Sequence, residues 1–135
     1  MRLLALPFIC ATFSVVLANS VHAQQPNCES PSTQYELNVC SLRDFDDADA
    51  ALNAVWSKVR ADAKLMDADA PNGTPSIADG ILAAQRAWLS YRDAQCSVEH
   101  DRFFNGSMAS MVRNMCATRM TKARTAELHS FLEGR

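Results

Sequence analysis

The chain has 135 residues, 48% of them hydrophobic and 21% charged. That size and balance describe one ordinary globular domain with enough apolar side chains for a single core, and they exclude a disordered chain or a two-domain enzyme. The net charge of −2 points away from nucleic acid as a partner.

Residues 1–23 read as a secretory signal: Met1-Arg2, an apolar stretch from Leu3 to Ala18, then Val21-His22-Ala23 with small residues at −3 and −1 of a peptidase site. A membrane span is the competing reading, but the run is short, ends in Asn19-Ser20 and has no stop-transfer charges behind it. Neither Cys10 nor Cys28 follows the small residues of a lipid-attachment site. The expected product is a soluble, periplasmic or secreted single domain over residues 24–135, with no membrane span once the signal is gone.

Without Arg2, 12 basic residues face 15 acidic ones, a charge of −3. Residues 24–79 carry −6 and residues 80–135 carry +3. Either the two halves pack on each other with complementary charge, or the acidic half steers a cationic partner.

From Leu37 to Met66, apolar residues recur at steps of three and four, which predicts a helix over 33 to about 67. Ser32 or Thr33 followed by Glu36 is a capping-box start, and Pro71-Asn72-Gly73-Thr74-Pro75 is the stop. So long a helix leaves room for a bend near Asp44 to Asp47. A second stripe, Ile77, Ile81, Ala84, Trp88, Tyr91 and Cys96, follows a Thr74 or Ser76 cap and fades after His100. Phe103-Phe104-Asn105-Gly106-Ser107 reads as a turn, because Asn and Gly both tolerate positive φ. A third stripe runs from Met108 through Met111, Val112, Met115, Met120, Ala123 and Leu128 to Phe131. The fold class is therefore all-α: an antiparallel up-down bundle of three long helices.

Cys28, Cys40, Cys96 and Cys116 remain after signal removal, and an even count in an oxidising compartment reads as two disulfides. Zinc is disfavoured because no CxxC-like pair occurs. Cys96 and Cys116 stand nearly equidistant from the Asn105-Gly106 turn and so face each other across a hairpin; Cys28 can reach Cys40 through a short extended leader. Each bridge is worth roughly 3 kcal/mol in the chain-entropy picture.

Asp44, Asp46, Asp47 and Asp49 form the densest acidic cluster. It lacks the glycine and closing glutamate of a calcium loop, so it reads as a solvated helix face or a recognition patch. Asp49 is the member expected to turn inward, with Arg92 to offset its desolvation. The methionines of the third stripe read as core packing ahead of a copper(I) stripe. No nucleophile triad, metal site or cofactor motif is apparent. Asn105-Gly106-Ser107 is formally a glycosylation sequon but reads as turn chemistry.

The ordered residues Cys28, Thr33-Gln34, Glu36-Leu37-Asn38, Cys40, Ala48-Asp49, Leu52-Asn53, the block AQRAWLSYRDAQC at 84–96, Gly106-Ser107, Cys116, Thr121, Arg124 and Leu128 form a pattern. It resembles the lysozyme-inhibitor LprI-like family of small exported bacterial proteins. The resemblance implies a non-enzymatic protein that binds a protein partner, a cationic lysozyme in the leading reading and an unassigned envelope protein in the alternative. Asp44, Asp46 and Asp47 would then steer the partner. Phe103 and Phe104 would form an apolar wedge at the hairpin tip or else close the bottom of the bundle. Arg86, Trp88, Tyr91, Arg92 and Arg124 are expected to define the fold. The chain departs from the lipoprotein that gave the family its name in lacking an anchor, and has Asn-Gly-Ser where the family often has Gly-Gly-Ser.

Overall fold

The computed structural model describes residues 25–134; the expected signal, residues 1–23, lies outside them. Among the described residues the fold consists of three helices: α1 (Gln34–Ala68), α2 (Ile77–Asp101) and α3 (Ala109–Glu133). They pack against one another, most extensively α1 with α3. Short connections force α2 to run antiparallel to both neighbours, so α1 and α3 are parallel.

The starts of α1 and α2 follow from local chemistry. Thr33 caps α1 in a full capping box with Glu36, and Ser76 caps α2 by accepting from Asp79 N–H. Between them Gly73 takes φ +87°, which L side chains rarely adopt. The α2–α3 turn places Asn105 at φ 63°, and a Cβ on Gly106 would lie 2.9 Å from the Phe103 carbonyl oxygen. Both residues of the Asn-Gly dipeptide are thus used. Hydrogen bonding in α1 continues through Asp44 to Asp47, so the helix is uninterrupted at the expected bend.

The core has two centres. At one end Leu52, Val55, Val59 and Leu128 pack with Trp56, Ile81, Trp88, Phe131 and Leu132. At the other, Cys96, Cys116 and Ala117 pack with Phe45 and Met120. The second centre contains the Cys96–Cys116 disulfide, and Cys28–Cys40 staples the leader onto α1. Both bridges join the cysteines expected from their placement about the turn and leader.

Two predicted stripes are corrected in detail. On α2 the inward positions are Ile81, Gln85, Trp88, Arg92 and Cys96, whereas Ala84 and Tyr91 are exposed. On α3 the buried positions include Asn114, Cys116, Ala117, Thr121 and Leu128, while Met115 and Ala123 face solvent. Polar side chains occupy inward positions in both helices, and a stripe drawn through apolar residues alone drifts off the true face.

Candidate partner-binding surface

The polar interior explains how the outer surface is held. Arg92 lies between the Phe45 and Trp88 rings, 5.3 and 5.2 Å from their centroids. Its guanidinium donates to Asp49 Oδ1 at 3.3 Å, Asp93 Oδ1 at 2.9 Å and Thr121 Oγ1 at 3.4 Å. Arg124 stands 6.0 Å from the centroid of the same Trp88 ring and donates to Gln85 and Glu127. These cation–π contacts on Phe45 and Trp88 tie α2 to α1 and α3, and a guanidinium against aromatic rings survives desolvation better than an isolated charge would. Asp49 and Arg92 thus meet, with Asn53 Nδ2 donating to the second Asp49 oxygen at 2.8 Å. Arg86 and Tyr91, expected to serve the fold, are instead exposed.

The acidic cluster divides by helical geometry. At 100° per residue, Asp44 and Asp47 fall on one flank, Asp49 on the other, and Asp46 points outward between them. Asp44 and Asp47 border a depression of about 270 Å³ on the α1–α3 seam, with Lys122 and Thr125 opposite. Asp44 also borders two neighbouring depressions lined by Met115. Asp44, Asp46 and Asp47 are all exposed, and among the described residues none has an ion-pair partner. The four aspartates therefore do not form one patch. Among the described residues no three His, Cys, Asp or Glu side chains converge as metal ligands would.

The hairpin tip is a rigid projection. Successive turns are closed by Phe103 N–H to His100 O at 2.9 Å, Phe104 N–H to Asp101 O at 3.2 Å and Gly106 N–H to Phe103 O at 2.8 Å. Asn38 Nδ2 of α1 donates to Ser107 O at 2.9 Å, and Asn114 Nδ2 of α3 donates to Ser41 Oγ at 3.2 Å. Just behind, the Cys96–Cys116 bridge joins the two arms, with Met120 Sδ 3.8 and 3.9 Å from its sulfurs. On this braced apex Phe104 is 72% exposed and Phe103 37%. Phe104 therefore does not close the bottom of the bundle.

Two carboxylates hold the leader and the α1–α2 junction. The Glu36 carboxyl is pulled down to about 2, first by the backbone N–H of Ser32 and then by that of Asn27, the Ser32 hydroxyl and Thr33 N–H. Asp67, near the end of α1, accepts from Ser76 Oγ at 2.7 Å and from the N–H groups of Ile77 and Ala78 at the start of α2. Its carboxyl is held below the ordinary range, chiefly by the Ser76 hydroxyl.

No helix among the described residues is long and apolar enough to cross a membrane. The family model described as lysozyme inhibitor LprI matches residues 26–128. An uncharacterized protein of Rhizobium meliloti (strain 1021) is 37% identical over 119 residues, which cover 83% of this chain and 84% of the relative. No solved structure matches significantly. The match spans the leader, both disulfides and nearly all of the three helices, and so the chain belongs to the LprI lysozyme-inhibitor family.

Proposed function

We propose that this is an exported protein that works by binding, without chemistry of its own, and that it inhibits a lysozyme by occluding the substrate groove. Family membership supports the target class. Two disulfides fit an oxidising compartment, and the signal read at residues 1–23 supplies the route.

The observation that carries the mechanism is the braced apex with Phe104 projecting from it. A glycosidase holds its two carboxylates in a cleft shaped for a sugar chain. A convex, apolar, pre-ordered turn fits such a concavity and loses little conformational freedom on binding. Asp44, Asp46 and Asp47 supply long-range attraction toward a cationic enzyme, an effect on association rate more than on contact energy.

The test is a titration of the mature protein against hen-type and goose-type lysozymes in a cell-wall lysis assay. Inhibition at micromolar excess is expected, and Phe104→Ala should weaken it by about tenfold or more, as loss of a central aromatic anchor does. Undiminished lysis by both enzyme classes overturns the reading.

A further inference from the structure

Three depressions on the α1–α3 seam join into one groove. With the hairpin apex taken as the lower end, Ser41, Asp44 and Met115 border the lower two, and Asp44 and Lys122 border the upper two. The walls run from Leu37 to Ala51 on α1 and from Met111 to Thr125 on α3, about 21 Å at 1.5 Å per residue. No residue of α2 lines the groove. On α3, Met111, Met115 and Lys122 fall within about 40° of one another and roughly half a turn from Arg124, which bonds to Gln85 of α2. The groove therefore lies on the face opposite α2.

Its lower part is apolar, and its walls above that carry opposite charge. Met115 is 56% exposed, with Leu37 and Met111 half-buried beside it, and thioethers adapt their shape to an incoming surface. Asp44 and Asp47 stand on α1 and Lys122 on α3, all three exposed and without an ion-pair partner among the described residues. Neighbouring cations are directed elsewhere: Arg119 pairs with Glu99 at 3.0 Å, and Arg43 reaches toward Cys28 in the leader.

The arrangement is self-complementary under one symmetry axis. Asn114 Nδ2, donating to Ser41 Oγ, pins the register of the two parallel helices. It sets Lys122 about 3 Å higher than Asp47, and Met111 about 2 Å higher than Leu37. Two copies aligned groove to groove have two possible two-fold axes. An axis across the helices lays α1 on α1 and α3 on α3, which brings aspartates against aspartates and lysine against lysine. An axis parallel to the helices lays α1 of each copy on α3 of the other and leaves every height unchanged. Asp47 then meets Lys122 and Leu37 meets Met111, each contact made twice.

We infer that the outer α1–α3 groove, with Asp44 and Asp47 on one wall, Lys122 on the other and Met115 in its lower part, docks a second copy of this chain about a two-fold axis parallel to the helices. Both apexes then stand at the same end of the pair. Phe104 and the outward Asp46 stay outside the contact, so pairing doubles the projecting tip without covering it. The inference does not depend on the inhibitor reading.

Sedimentation equilibrium of the mature, disulfide-intact protein from micromolar to near-millimolar concentration tests it. A dimer that weakens with added salt is expected. Asp47→Lys and Lys122→Asp should each weaken self-association by about tenfold or more, because each puts like charges face to face at both contacts. An equimolar mixture of the two variants should pair again, since every such contact in the mixed dimer sets Lys against Asp. Tyr91→Ser on α2 should match wild type. All three positions are exposed, circular dichroism melts verify that the fold is kept, and recovery on mixing cannot come from repair of a misfolded chain. A wild-type chain that stays monomeric overturns the pairing, as does a dimer that survives both single variants or a mixture that fails to pair. If the wild-type chain is monomeric and Asp47→Lys weakens its binding to hen-type lysozyme, the groove belongs to a cationic partner instead.

Discussion

Arg92 shows how one side chain organises three helices. Its side chain is 9% exposed while that of Asp49 is 38% exposed, so their contributions to stability differ. Truncating Arg92 removes two aromatic stacks and leaves Thr121, which is fully buried, without its donor. Arg92→Ala should therefore destabilise the fold by about 3 kcal/mol. Asp49→Ala leaves the guanidinium bonded to Asp93, and water can reach the vacated side, so about 1 kcal/mol is expected. Urea unfolding of the two variants checks the ordering, and equal losses would contradict it. Sequence reading reaches this Asp49–Arg92 contact because an inward carboxylate demands a cation. It does not reach the stacking of Arg92 and Arg124 on Trp88, since nothing in residue spacing shows which arginines fold inward.

At the level of elements, caps and turns are legible because their signals are local. Thr33 with Glu36, Ser76, and Asn105-Gly106 each use short-range chemistry that the residue types dictate. Faces are less legible. On α2 an inward stripe containing Gln85 and Arg92 lies beside an outward stripe containing Ala84, Tyr91 and Val98, so hydrophobicity alone mixes the two. The junctions also carry a pH dependence that follows from Glu36 and Asp67. Both carboxyls are lowered in the folded state, so the unfolded chain binds more protons in acid than the native chain. Their stabilisation is complete above the ordinary carboxylate range near pH 4 and is lost as pH falls, for Glu36 down through about 2. Replacing them by Glu36→Gln and Asp67→Asn should flatten the decline of stability between roughly pH 5 and 2. Thermal melts across that range test this, and an unchanged slope would remove the assignment.

The whole molecule is a bundle whose two ends are held differently. One end relies on the aliphatic cluster around Leu52, Val59 and Leu128, and the other on a disulfide set among Phe45, Ala117 and Met120. The hairpin carrying the exposed phenylalanines grows from the cross-linked end, so the apex inherits its rigidity from a covalent bond. The two bridges differ in access: Cys96 and Cys116 are buried, whereas Cys28 is exposed in the leader. Thiol–disulfide exchange requires a thiolate to reach a sulfur atom, and Cys28 offers the accessible one. Dilute reductant should therefore open Cys28–Cys40 first, with alkylation and mass spectrometry labelling Cys28 and Cys40 before Cys96 and Cys116. That intermediate should keep its helices, because neither core cluster draws on the leader. It should also keep inhibiting, because the bonds that brace Phe104 are untouched. Opening Cys96–Cys116 should lower stability by about 3 kcal/mol and weaken inhibition by loosening the apex. Simultaneous labelling of all four cysteines, or loss of inhibition at the first step, would show that the leader supports the binding end in a way the packing does not indicate.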